Sequence, residues 1–334
     1  MCVSLQPAHF SDTIVGVFED RTGRRYLAYQ NTAANLVTRP AKPESTFLTR
    51  SGPANSAAVP AAHQTRSGAG KADNWSFETA SLPAALPTIT APTGNALILP
   101  IADDMANIEV IDTSSCPKFL KDIRSAIMPR TRGDSDGLLS FSTRSKSVRI
   151  IEFDIYTIVI AENAGAIAKA IQSDAVSPSR RPALNPEIIE AYTRWYPGWA
   201  IAVCCFDNNE AQEGKPLLFS YEPSKQDPEY FFVPTLDSHD GKVPNLTGAV
   251  EVDHTIFVAT ADMKDSLGPS VYYSDDIAPT ILERLPRKVV GKQLRGSLRN
   301  GDIVFRRSDL AAGQFRGLRA LPPGAEEKAD QLFV

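Results

Sequence analysis

Apolar and polar residues alternate in three short runs near the start of the chain, Cys2 to Leu5, Ile14 to Phe18 and Arg25 to Tyr29. This period of two predicts antiparallel strands, with Arg21-Thr22-Gly23 as the tight turn between the last two. The pattern then stops. From about Val37 to Thr93 the chain turns to Pro, Ala, Ser, Thr and Gly, with apolar residues too sparse to form a core. The composition predicts a flexible insert over residues 37–93, in which Trp75-Ser76-Phe77 is the one cluster bulky enough to anchor to a surface.

Order resumes at Asn95 to Ile101, a short strand. Ser115 as N-cap and Pro117 in the first turn predict a helix carrying Phe119, Leu120, Ile123 and Ile127 on one face. Val148 to Ala161, rich in Ile, Val, Phe and Tyr, reads as one long strand. Asn163 caps a helix through Ile167 and Ile171, and Asn185-Pro186 opens another with Ile188, Ile189, Tyr192 and Trp195 on its face. Strands follow at Trp199 to Phe206, Pro216 to Tyr221, Tyr230 to Pro234 and Thr255 to Thr260, then a helix near Ile277 to Leu285 and a last strand at Asp302 to Phe305. Consecutive strands without helices between them argue for antiparallel pairing. The predicted class is α+β, with antiparallel sheets layered with helices. Residues 1–36 and 94–320 form its single domain, and residues 321–334 a C-terminal tail.

Length and composition agree with a globular chain: 334 residues, 43% hydrophobic and 22% charged. The longest apolar stretches fall far short of the ~20 residues a membrane span requires, and no secretory signal is read, so no membrane partner is expected. Cys2, Cys116, Cys204 and Cys205 lack the spacing of a disulfide framework or zinc site, which points to a reducing, cytoplasmic setting. A net charge of −4 gives no footprint for nucleic acid. Charge is uneven, however: residues 224–282 hold ten acids against three bases, and residues 283–319 ten bases against three acids. The two segments attract each other, within one chain or across a homo-oligomer interface.

Signature motifs for nucleotide binding, zinc proteolysis and serine hydrolysis are absent, and nothing calls for a cofactor. Two constellations carry chemistry. The first is Asp237 and His239 with Asp253 and His254, whose side chains are proper ligands for zinc or iron; Asp-His-Asp-Gly at 237–241 with Ser238 is equally ordinary turn chemistry. The second is Cys2. Removal of Met1 exposes a cysteine whose own α-amine, with an ordinary pKa of about 7.7–8.0, takes the thiol proton without a histidine. Adjacent Cys204 and Cys205 on a strand face opposite sides and read as packing.

With Met1-Cys2 opening a strand and a second strand ending in Tyr29-Gln30-Asn31, the first 35 residues resemble the cysteine members of the N-terminal nucleophile hydrolases, such as penicillin V acylases and bile salt hydrolases. The resemblance implies an αββα sandwich and an amidohydrolase acting on a non-peptide C–N bond of a small-molecule amide. It also implies Arg24 or Arg25 near the nucleophile and an oxyanion donor among Asn31, Asn35 and Asn95. The family's acid on the second strand is missing: Gln30 or Asn31 stands there. Two other readings stay open, a non-catalytic binding or self-assembling protein and a metal-binding protein using the Asp237, His239, Asp253 and His254 group.

Overall fold

A computed structural model describes residues 3–35, 94–128, 142–143, 148–209, 213–223 and 228–325. The chain divides into two units, residues 1–37 with 92–334 and residues 38–91, and every described residue belongs to the first. Cys2, Trp75 and Phe77 lie outside the described residues.

Strands β1 (Val3–Ser4), β2 (Ala8–Glu19), β3 (Arg25–Asn35), β4 (Gly94–Ile101) and β5 (Glu109–Val110) precede helix α1 (Phe119–Ile127). Then come β6 (Ser142–Thr143), β7 (Val148–Phe153), β8 (Tyr156–Ala161), α2 (Ala164–Ile171), α3 (Pro186–Trp195), β9 (Ala200–Asp207), β10 (Leu217–Tyr221) and β11 (Tyr230–Val233). The chain continues through β12 (Ala249–Ala259), α4 (Pro279–Leu282), β13 (Val290–Arg299), β14 (Asp302–Arg306), α5 (Arg307–Ala311) and β15 (Gly317–Ala320).

Two six-stranded sheets are ordered β1-β4-β9-β8-β7-β6 and β13-β12-β2-β3-β10-β5, and a three-stranded sheet is ordered β11-β14-β15. Alternation along each strand sorts the side chains into layers. Leu97, Leu99, Val15, Val17, Ile256 and Val258 meet in the main core between the two large sheets. On the far side of the first sheet, Ala96, Ile98 and Val203 pack against Ile167, Ile188 and Tyr192 of α2 and α3. Ile14, Phe18 and Phe257 of the second sheet cover Phe119, Leu120 and Ile123 of α1. The mixed α+β class and the helix–sheet layering expected from the sequence are present. Among the described residues no helix is long and apolar enough to cross a membrane.

Several local expectations needed correction. Val148–Ala161 is two strands, because Asp154 takes a left-handed conformation (φ 54°) that folds the run into a β7–β8 hairpin. Asp and Asn tolerate that region better than other non-glycine residues. Helix α1 begins after Lys118 with no side-chain cap, so Ser115 does not cap it. Asn163 and Asn185 do cap α2 and α3, accepting from Ala166 N at 3.1 Å and Glu187 N at 3.0 Å. The pairing of β2 with β12 is parallel, against the antiparallel expectation. Residues 321–325, read as tail, dock on the body: Leu321 and Ala325 pack beside α3, and Gly324 N donates to Trp195 O at 2.8 Å.

Candidate functional site

Strand β1 places the start of the chain. Val3 pairs with Ile98 of β4 on one side and forms a parallel bridge with Ser238 on the other. Ser4 N donates to Ser238 O at 2.9 Å, and Ala8 N to His239 O at 3.0 Å. The segment 237–239 is thereby sewn along the entry into β2. It carries Asp237, which lies near His254 of β12, and His239, whose ring stands beside Phe10 of β2.

Asp237 is 3% exposed. Its Oδ1 lies 2.8 Å from Nε2 of His239, and its Oδ2 lies 4.0 Å from Nε2 of buried His254. His254 shares a strand face with Val252, Ile256 and Val258, so the pleat that buries those residues aims its ring inward. Burial, then nearby positive charge including His239, pushes the His254 pKa well below the ordinary histidine value, so its imidazole is neutral at pH 7. His239 is partly exposed, and its ring stands 5.1 Å from that of Phe10. A buried carboxylate in hydrogen-bond contact with His239, with neutral His254 beyond hydrogen-bond distance at 4.0 Å, can orient the His239 imidazole and stabilise its protonated form, the service a thiol nucleophile needs from its base.

The backbone beneath this group is held by a run that sequence reasoning missed, Asn300-Gly301-Asp302. Asn300 Oδ1 accepts from Asp237 N at 2.9 Å and its Nδ2 donates to Asp237 O at 2.7 Å. Asp302 Oδ1 accepts from Thr235 N at 2.9 Å and Leu236 N at 3.0 Å. The only sequence signal was Asn-Gly-Asp before an apolar strand, which reads as a turn.

The remaining candidates do not converge here. Asp253 sits on the opposite face of β12 from His254, exposed, where its Oδ1 accepts from Gln293 Nε2 at 2.9 Å and Arg295 Nε at 3.1 Å. Adjacent strand residues point to opposite faces, so Asp253 and His254 cannot serve one ion. Among the described residues no three His, Cys, Asp or Glu side chains are arranged to hold a metal ion.

Arg24 lies in the β2–β3 turn, ion-paired with Glu222 and donating to Asn107 O at 2.9 Å. It lines a cleft of about 1060 Å³ with Tyr26, Arg284 and Lys288. His254 is level with Thr13, and from there to Glu19 strand β2 advances roughly 20 Å at ~3.3 Å per residue, so the guanidinium is at the wrong end of the sheet. Asn95 is consumed in bracing Gln6: its Oδ1 accepts from Gln6 N at 3.0 Å and its Nδ2 donates to Gln6 O at 3.2 Å. Asn31 is buried, and its Oδ1 accepts from Tyr156 OH at 3.2 Å. Asn35 ends β3 opposite Ala8.

The described cysteines are unsuited to nucleophilic work. Burial raises the thiol pKa of Cys116 and of Cys205 to about 12 and that of Cys204 well above its ordinary value, so all three stay protonated.

No protein-family model and no curated protein matches the chain. Among solved structures it is similar to baculovirus P35, with 13% identity over 92% of each chain and a TM-score of 0.41. A mutated baculovirus P35 after caspase cleavage aligns at 14% identity over 89% of this chain and 99% of that one, with a TM-score of 0.39. The P35 of a caspase-8/P35 complex aligns at 12% identity over 90% and 89%, with a TM-score of 0.33. Likeness at this level assigns neither family nor function.

Proposed function

We propose that the chain is a cysteine-dependent acyl-transfer protein of the amidohydrolase class, with Cys2 as nucleophile and the Asp237–His239 pair as its base. The observation that carries this reading is the bridge between Val3 and Ser238. A single trans peptide, ~3.8 Å from Cα to Cα, separates Val3 from Cys2. In this reading His239, next to Ser238, serves as the base, and a free α-amine is not required.

In the proposed reaction His239 takes the thiol proton, the sulfur attacks the amide carbonyl, and the C–N bond breaks as the amine leaves with that proton. Water then cleaves the thioester. Asp237 stabilises the imidazolium in between.

Alkylation of the folded protein with iodoacetamide, followed by peptide mapping, tests the reading. Cys2 is expected to react at least tenfold faster than Cys116, Cys204 and Cys205, and His239→Ala to remove most of that advantage. Cys2 reacting no faster than the buried thiols would sink it. Intact mass assigns the base: a retained Met1 leaves histidine as the base, because the cysteine amine is then an amide.

Self-assembly through opposite charges is less favoured, because the basic segment already pairs within the chain. Lys288 meets Asp265 at 3.1 Å, Arg295 meets Asp253 at 3.1 Å, and Arg307 meets Asp262 at 3.1 Å.

Binding of a protein partner is a second reading, favoured by the connection between β3 and β4. Residues 36–93 far exceed the ~4–6 residues of an ordinary connector, and connections of such length in compact domains are functional or linkers. Trp75 and Phe77 are the anchors this reading requires. Caspase-8, the partner in the P35 complex, supplies a defined probe. Co-elution of the two proteins, abolished by Trp75→Ala with Phe77→Ala, is the expected result, and separate elution at micromolar concentrations counts against that partner.

A further inference from the structure

Three consecutive residues at the mouth of β14 are almost wholly buried although two are polar: Asn300 is 1% exposed and Asp302 0%. Their hydrogen bonds run to residues 235–237, the stretch that leads into the Asp237–His239 pair. Besides the four already given, Thr235 Oγ1 donates to Gly301 O at 2.8 Å. The second oxygen of Asp302 accepts from the hydroxyl of Tyr196, the residue closing α3, at 2.8 Å. Asp302 is thus the shared acceptor of three buried donors from two elements, and Ser238, next in line, is held by β1.

Resting on the Cys2 reading, we infer that Asn300 and Asp302 are positioning residues for the site and that the proton on Asp302 switches it. As a carboxylate, Asp302 locks residues 235–236 and so fixes where Asp237 presents its oxygens to His239 and His254. As a carboxylic acid, it holds them less firmly.

The physical basis is the donor count. An ionised carboxylate accepts all three hydrogen bonds, each strengthened by its charge. Once protonated, it offers neutral acceptors only, and its own hydroxyl competes with that of Tyr196, which is buried and needs an acceptor. The charged and titratable groups facing it are Tyr196 from the end of α3 and Arg319 from β15; the other contacts are backbone N–H groups of 235 and 236. Burial outweighs these and raises the Asp302 pKa to about 6, which places the switch in an accessible range. Sequence reading could not assign Asp302 a role beyond the first residue of a strand.

The test uses hydrogen–deuterium exchange of the 235–237 amides together with the pH profile of Cys2 alkylation, both on the full chain. In the wild type, protection of these amides, corrected for intrinsic exchange, is expected to rise severalfold between pH 5 and pH 7, with a matching inflection near pH 6 in the Cys2 rate. Asp302→Asn should flatten both curves. Tyr196→Phe, which removes a bond that favours the carboxylate, should move the inflection to higher pH, and it keeps the test decisive if the first variant folds poorly. Unchanged protection between pH 5 and pH 7, or an inflection that ignores both substitutions, overturns the inference. Failure of the Cys2 reading itself looks different: Cys2 then alkylates no faster than the buried thiols at every pH, while the exchange step still reports on the clamp.

Discussion

Asp302→Ala is expected to lower stability by about 4 kcal/mol at pH 4 and by clearly less at pH 7. The first figure follows from leaving the Thr235 and Leu236 N–H groups and the Tyr196 hydroxyl buried without an acceptor, at about 1–3 kcal/mol each with partial relaxation. The pH dependence follows from the raised pKa. Between the unfolded value near 3.8 and the folded value of about 6, the native state binds the proton and the unfolded state does not. Against the unfolded state, which solvates the carboxylate, the stabilisation from this group is therefore full below about pH 4 and is lost as pH rises through 6, a span worth on the order of 3 kcal/mol; the local release of residues 235–236, which leaves Asp302 buried without their N–H groups, carries the opposite sign. Asp302→Asn keeps acceptor and shape without the charge, so it should match the wild type near pH 4 and exceed it near pH 7. Urea unfolding midpoints at the two pH values measure both variants, and equal losses for Asp302→Ala at pH 4 and pH 7 would refute the assignment.

Gly16→Val is expected to be the most damaging single change in the second sheet. Gly16 sits opposite Phe257 in the parallel β2–β12 pair, and a Cβ at position 16 would meet the Phe257 carbonyl oxygen at 2.4 Å and its ring at 2.4 Å. A ring can turn aside; a ladder carbonyl cannot without parting the strands. Overpacking in cores costs about 1–3 kcal/mol, and a backbone obstruction in a central strand belongs at or above the top of that range. Gly16→Ala should already lower the thermal midpoint by several degrees, whereas Gly23→Ala should cost less than either, because nothing lies within 4 Å of its Cβ position and only its φ of 87° resists. A Gly16→Ala protein as stable as the wild type would show that the strands separate more easily than this packing implies.

Elements with strong local chemistry were legible in the sequence. Asn163 and Asn185 announced α2 and α3 because an N-cap acts over three residues, and the apolar stripe of Ile188, Tyr192 and Trp195 is buried as its spacing predicts. Strand β13 was not read, since Lys292, Arg295 and Arg299 interrupt its pattern; on an edge strand such charges guard against further pairing and leave a weak apolar signal. Half of the candidate site was legible in kind but not in arrangement. Asp237, His239 and His254 were singled out as metal ligands, and they do come together, around a carboxylate rather than an ion. Asp253 could have been set aside from the sequence by strand alternation alone. Asn300 and Asp302 could not have been found, because their partners lie 63 or more residues away and no local rule links a turn to a distant loop.

The parallel register of Thr13–Phe18 with His254–Ala259 also dictates an order of assembly during synthesis. Strand β2 leaves the ribosome early, and its neighbour β3 follows at once, but the strand that covers its other edge emerges only after most of the chain. At roughly 5–20 residues per second, that interval is on the order of ten seconds or longer. During it, a strand apolar on both faces stands with one edge unpaired, the state most prone to wrong partners. The Val3–Ser238 bridge must form in the same late phase. The nascent chain therefore joins β1 to the 237–239 segment near the end of folding, and products that stop before Ser238 lack that bridge altogether.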